Sequence, residues 1–368
     1  MTDSSPVRVL HVITDLHVGG AEGMLVSLLC ATPQDGTMAS VVSLAPGGTN
    51  RRRLQRAGLE VSDLGMLRPW PSVAAVTDLA RRVRAIRPDV VQSWMYHADL
   101  MALAALRLVR RMHRPPLVWG VRCSDMDARQ YGLRFRLLVG FCSRLSRLPA
   151  AVVANSYAGR AVHQDLGFRP RRFEVIANGI DVAQFRPDAE ARAEARTELG
   201  IAPDAFVLAH VARVDPMKDH ATFLAALERL PRVVALAIGK DTERLPALPN
   251  LRRMGQRGDM PRLLAASDIA VSSSAFGEGF SNAIAEGMAA GLPVVATDVG
   301  DARLIIGETG LVVPARDPDA LAAAIGRLAG EQPEALRARG ARARQRIERE
   351  FPLSRAAESF RHLYRELI

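Results

Sequence analysis

Cysteine, lysine and long apolar runs are all scarce in this chain. Its three cysteines, Cys30, Cys123 and Cys142, are far apart and form no CxxC pair. That usage excludes a disulfide framework or a zinc ribbon and fits a reducing cytoplasm. No stretch reaches the roughly 18 uninterrupted apolar residues that a spanning helix needs. The polar start, Met1–Pro6, runs straight into a strand-like segment, Val7–Ile13, so no signal peptide is expected. A GxGxxG fingerprint is missing, which argues against a dinucleotide cofactor. No His, Asp or Cys group has metal-ligand spacing, so no metal is expected. Asp125-Met126-Asp127 has the letters of a metal-holding DxD pair but lies on a basic segment of the wrong half, and Asp317 to Asp319 reads as a helix cap.

What is present suits two domains. The 368 residues are 48% apolar, enough for two cores of ordinary size. The formal charge is +10, almost all of it from arginine, because Lys218 and Lys240 are the only lysines. Ten arginines fall between Ala105 and Ala150, against the two acids Asp125 and Asp127. Such a patch meets nucleic acid, a membrane surface or an anionic substrate, or is simply a solvated face.

Short apolar runs alternate with amphipathic ones. Val7–Ile13, Ala39–Leu44, Asp89–Ser93, Leu117–Val121, Ala151–Ala154 and Phe173–Ile176 predict strands, and Ala21–Ala31, Ser72–Ile86, Ala98–Arg110, Leu133–Leu148 and Ala158–Leu166 predict helices. The rhythm restarts after the turn signal Asn178-Gly179-Ile180-Asp181. Strands then follow at Phe206–Ala212, Val233–Ile238, Leu251–Met254, Ile269–Ser272, Val294–Ala296 and Leu311–Val313, with helices between and two more at the end. The expected fold class is α/β, with two doubly wound parallel-sheet domains facing across a cleft. They span residues 1–180 and 181–350, and a terminal helix in 351–368 crosses back to the first.

Three segments carry candidate chemistry. Gly19 and Gly20 stand between the first strand and its helix, where backbone N–H groups can approach an anion. Arg213 and Lys218 share the loop after the first strand of the second domain and can neutralise a leaving diphosphate. In Glu278-Gly279-Phe280-Ser281-Asn282, Glu278 opens a loop and Ser281 or Asn282 is expected to cap a helix that carries Glu286. Two carboxylates beside a helix start suit sugar hydroxyls and a diphosphate. Gly279, Gly287 and Gly291 are expected to keep the backbone accessible.

Together with Gly291-Leu292-Pro293 and Gly310-Leu311-Val312-Val313-Pro314, these motifs resemble the retaining family 4 glycosyltransferases over nearly the whole chain. The resemblance implies the GT-B fold, two facing Rossmann-like domains, and a metal-free transfer of sugar from a nucleotide diphosphate. It implies that Arg213 and Lys218 bind the donor phosphates and Glu286 the ribose. Glu278 would meet the donor sugar near its anomeric carbon, with Gly19 and Gly20 approaching from the other domain. The helix start at Phe280, Ser281 and Asn282 would receive the diphosphate. His97 resembles the family's histidine at the cleft wall. One departure is Asp301, where many relatives have a second glycine after Gly300.

Arg122 and Asp125 are expected on the acceptor side. Phe135, Leu138, Val139, Phe141, Cys142 and Leu145 lie at near-helical spacing among arginines, as in a helix resting on an anionic membrane or an ordinary helix packed on the sheet. The function expected is a UDP- or GDP-sugar glycosyltransferase acting on a glycan or lipid-linked acceptor, with no cofactor and no nucleic-acid partner. Bacterial polysaccharide or glycolipid synthesis fits it, in the cytoplasm or peripheral to the inner membrane face. A nucleotide-sugar epimerase on the same scaffold and a basic binding protein without activity are the alternatives.

Overall fold

The computed structural model describes residues 6–17, 19–31, 36–67, 72–124 and 128–368, the side chains of residues 31 and 128–131 apart. The chain divides into two compact units, residues 1–179 with 353–368, and residues 180–352. The first holds β1 (Val7–Ile13), β2 (Thr37–Ser43), β3 (Glu60–Asp63), β4 (Val90–Trp94), β5 (Leu117–Val121), β6 (Ala151–Ala154) and β7 (Phe173–Val175). They form one parallel sheet in the order β3-β2-β1-β4-β5-β6-β7. The second unit holds β8 (Phe206–Val211), β9 (Val233–Ile238), β10 (Leu251–Gly255), β11 (Ile269–Ser272), β12 (Val294–Thr297) and β13 (Leu311–Val313), in the order β10-β9-β8-β11-β12-β13. Each order reverses beside its first strand, at β1 and β4 and at β8 and β11. Open α/β sheets bind ligands past the carboxyl ends at such points. Gly19 follows β1, His97 follows β4, Lys218 follows β8 and Glu278 follows β11.

The central strands read as unbroken apolar runs because helices cover both faces. On one face Leu10, Val12, Val91, Trp119 and Val121 pack with Leu79, Val83, Met101 and Leu138. On the other Val9, Ile13, Val41 and Trp94 pack with Leu25 and with the last helix, Leu353–Leu367. That helix buries Leu353, Ala356, Ala357, Phe360, Leu363 and Tyr364, a stripe at three- and four-residue spacing. Gly179 permits its docking, since a Cβ there would lie 2.5 Å from the Leu353 Cα.

Two elements of the first unit escape the hydrophobic pattern. The helix Thr49–Arg56 buries only Asn50 and Leu54, and β3 is a four-residue edge strand with acids at both ends. Short polar edges resist further strand pairing, and they hide from apolar periodicity for the same reason. Among the described residues no helix is long and apolar enough to cross a membrane.

Candidate functional site

The second unit builds its site from the loops after β8 and β11. The chain leaves β8, and Asp215 takes the Met217 N–H at 3.0 Å to open a 3-10 turn, Pro216–Lys218. Asp219 follows with φ 45° and caps the helix His220–Glu228 by accepting from Thr222 N–H at 3.1 Å. A second tie comes from β11: Ser273 Oγ donates to the Lys218 carbonyl at 2.8 Å and accepts from His210 Nε2 at 2.9 Å. Burial, with His220 and Lys218 nearby, holds His210 well below the usual histidine value, and since Ser273 Oγ gives its proton to the Lys218 carbonyl, Nε2 is the donor. Lys218 is thus fixed through its backbone before any ligand arrives.

Its ammonium forms an ion pair with Glu278 Oε1, and Ser274 Oγ donates to the same oxygen at 2.6 Å. Burial alone would raise the Glu278 carboxyl, but Lys218, Ser274 and the charge of Arg213 outweigh it and hold Glu278 below the usual range. Arg213 is half exposed and bonded to Asp215 at 3.0 Å. An exposed pair of this kind holds its partners weakly, so the guanidinium is free to turn to a phosphate.

Beyond Glu278 the chain is clamped from the β12 side. Gly300 has φ 62°, and a Cβ there would sit 2.3 Å from the Glu278 carbonyl oxygen. Next to it, Asp301 donates its N–H to the Gly279 carbonyl at 3.1 Å and keeps an ordinary φ of −91°. A second glycine is therefore not needed here, which accounts for the departure at Asp301.

The helix Asn282–Ala289 starts immediately afterwards. Ser281 stands at its N-cap but makes no side-chain cap bond, contrary to the expected capping. Asn282 is half-buried and Phe280 is buried edge-on against Phe351, 5.2 Å between ring centres, so Phe280 offers a ligand its backbone alone. Glu286 is partly exposed, its carboxylate makes no hydrogen bond or ion pair among the described residues, and burial raises that carboxyl to about 7. Gly287 does not keep backbone open, as its place in the motif suggested. A Cβ there would lie 2.6 Å from the Ala270 Cβ, so it lets the helix press onto β11. Gly291, with φ 80°, makes the turn against Pro187.

In the first unit Gly19 and Gly20 open the helix Gly20–Ala31. Nothing lies within 4 Å of a Cβ built on Gly20, whereas Gly19 is crowded by the Glu22 carboxylate. The loop Gly47-Gly48, which hydrophobic periodicity does not mark, braces this turn. Gly48 has φ 93° and its missing Cβ would strike the Leu16 carbonyl, while Asn50 Nδ2 donates to the His17 carbonyl at 2.7 Å. The available signal was the pair of adjacent glycines, Gly47-Gly48. Val18 lies outside the described residues.

His97 sits in the first turn of the helix Tyr96–Arg107, partly buried, and burial lowers its pKa. Arg122 is not on an open acceptor face. It is 9% exposed, its guanidinium stacked 4.3 Å from the Trp94 ring, with Nη1 donating to Asn178 Oδ1 at 3.2 Å. The position directly after a buried strand, with two aromatic rings beside it, turns the side chain inward. Asp125 lies outside the described residues. Asp317 accepts the Ala320 N–H at 2.8 Å, as a helix cap.

Residues 205–331 match the family described as glycosyl transferases group 1, and residues 18–184 match glycosyltransferase family 4. EpsF of Bacillus subtilis is 27% identical over 322 residues, 80% of each chain. The D-inositol 3-phosphate glycosyltransferase of Kineococcus radiotolerans is 32% identical over 251 residues, 59% of this chain and 57% of its own length. The fold is that of HepE from Anabaena, solved with UDP-glucose, at a TM-score of 0.83 and 22% identity over 98% of this chain and 100% of that one. Sucrose-phosphate synthase from Thermosynechococcus elongatus aligns at a TM-score of 0.79 with 18% identity, over 98% and 99% of the two chains. With two Rossmann-like parallel sheets and both halves matched, the chain is a GT-B enzyme that belongs to the group 1 glycosyltransferases.

Proposed function

We propose that this glycosyltransferase is a retaining enzyme that takes its sugar from a UDP- or GDP-linked donor without a metal. The observation that carries the reading is the Lys218–Glu278 pair, held by Ser274 and Ser273 beside the start of the helix Asn282–Ala289. Lys218 and Arg213 supply the positive charge that a departing diphosphate needs, and the first-turn N–H groups from Phe280 to Ala283 add to it. No ion is required where Lys218 and Arg213 already meet that charge. Glu286, free of protein partners, accepts from the ribose hydroxyls, and Glu278 orients the sugar ring near its anomeric carbon. Gly19 and Gly20 let backbone approach the donor from the first unit, and His97 hydrogen-bonds the transferred sugar. The leaving phosphate oxygen takes the acceptor proton on the same face, so the chain's work is mainly positioning.

HepE binds UDP-glucose, and other similar relatives act on an inositol phosphate, which supports a nucleotide-sugar donor and a hydroxyl acceptor. The acceptor is a glycan or a lipid-linked sugar in bacterial polysaccharide or glycolipid synthesis, met in the cytoplasm or at the inner membrane face. A thermal-shift screen over nucleoside diphosphates and their sugars tests this, because a native-state ligand raises the melting temperature with its affinity. Stabilisation by UDP- or GDP-sugars, followed by transfer with the donor's anomeric configuration kept, is the expected result. Stabilisation by none of them, or an inverted product, ends the proposal.

A further inference from the structure

The helix Ala128–Leu145 breaks at Gly132, where φ is 75°, and its later part carries two apolar stripes rather than one. Leu138, Val139 and Cys142 are buried in the core, with Phe135 and Leu145 packed against it. That is the ordinary helix-on-sheet arrangement, and it accounts for most of the stripe expected to meet a membrane. A different set points outward: Leu133, Leu137 and Phe141 are 67%, 62% and 55% exposed. At about 100° per residue, positions four apart drift only slowly round a helix, so the three make one continuous line. Arg134 and Arg136 flank that line, and Arg144 falls within it. Leu148, Leu108 and Met112 are further exposed apolar residues of the same basic segment. Arg134, Arg136, Arg144 and Arg147 are exposed and make no ion pair among the described residues.

We propose that this outward line is a docking face for an anionic phospholipid bilayer. Aliphatic tips and one phenylalanine can enter the acyl boundary while the arginines stay with lipid phosphates. A dry protein interface fits poorly, because Arg144 would be buried in its middle without a counter-charge. A second copy would set one arginine cluster against another. Nucleic acid would use the charge and gain nothing from the exposed leucines. The proposal deepens the lipid-linked reading of the acceptor, yet it is tested with neither donor nor acceptor present.

The test is flotation of the full chain with phosphatidylcholine vesicles and with vesicles rich in phosphatidylglycerol, beside light scattering for oligomeric state. The wild-type chain is expected to float with the anionic vesicles and to come off as salt rises. Leu133→Asn, Leu137→Asn and Phe141→Asn together should weaken that binding by roughly tenfold or more. Arg134→Gln, Arg136→Gln and Arg144→Gln together should weaken it by roughly a hundredfold and flatten its salt dependence. Both variants change exposed side chains only, and unchanged melting temperatures will show that they fold. Wild-type protein that ignores anionic vesicles, an apolar variant that binds as well as wild type, or a dimer that this variant dissolves without altering flotation would each overturn the proposal. Those results would leave sugar transfer untouched, whereas failure of transfer would leave the docking face standing.

Discussion

The two units use the same strand order reversal to opposite effect. Past β8 and β11 the site is already assembled: a lysine fixed by its carbonyl, a carboxylate shared by Lys218 and Ser274, and a loop pinned by Gly300. Past β1 and β4 the turn is braced from behind by Gly48 and Asn50 but left open in front at Gly20. A phosphate-linked donor presents the same charges whatever its sugar, so a rigid electrostatic cradle serves it. The turn at Gly20 builds no such charged pocket and leaves its backbone accessible instead.

The contrast can be broken most severely at Lys218. Lys218→Ala should lower kcat/KM by roughly 10²–10³-fold. It also leaves Glu278 buried without its counter-charge, at a cost of about 3 kcal/mol in a denaturant melt. Adding Glu278→Gln should restore much of the stability and none of the activity. A single variant with normal turnover, or a double variant no more stable than the single, would remove the pair from the site.

Two glycines give the next largest effect. Gly300→Ala should destabilise by roughly 2 kcal/mol, since φ and the Glu278 carbonyl both oppose a Cβ. Gly20→Ala should leave the melting temperature near wild type and weaken only donor affinity, measured by calorimetry. Equal stability losses at both positions would show that the two turns are equally constrained.

Glu286 gives a pH signature. Its carboxyl is raised to about 7 in the folded chain, so folding holds the proton more tightly than the unfolded chain does. Its destabilising effect is absent below the unfolded value, grows as pH rises through about 7, and is complete above it. Glu286→Gln should therefore stabilise the free enzyme at pH about 8 by roughly 2 kcal/mol and do little at pH about 4. The same change should abolish the rise in donor affinity expected as wild-type Glu286 ionises. A melting curve parallel to wild type at every pH contradicts that assignment. Smaller still, His97→Ala should lower the rate roughly tenfold, one hydrogen bond's worth. A chelator should change nothing measurable in the rate, and complete loss of transfer would return a metal to the chemistry.

Much of this was legible in the residues. Apolar runs buried on both faces announced the parallel strands, and the glycine and charge signals at 19–22, 213–218 and 278–286 fell after the central ones. The fixing groups were not legible. Ser273 and His210 act across long sequence separations, and a serine just past a strand end, such as Ser273 or Ser274, has no pattern of its own. The neutral state of His210 depends on burial that only the assembled sheet supplies. Arg122 misled for a related reason: a basic segment suggests solvent, but one of its members lies under Trp94 and Phe360. The outward leucine line was hidden by a second apolar stripe on the same helix.

The docking of Leu353–Leu367 against β1 and β4 has a consequence for biosynthesis. Domains usually finish folding in the order in which the ribosome releases them. Here the second unit is complete once Pro352 has emerged, while the first waits for its last wall until Leu353–Leu367 has followed. A chain cut just before Leu353 would carry a finished second unit and an unsealed first one, so a break there should be read as damage to the beginning.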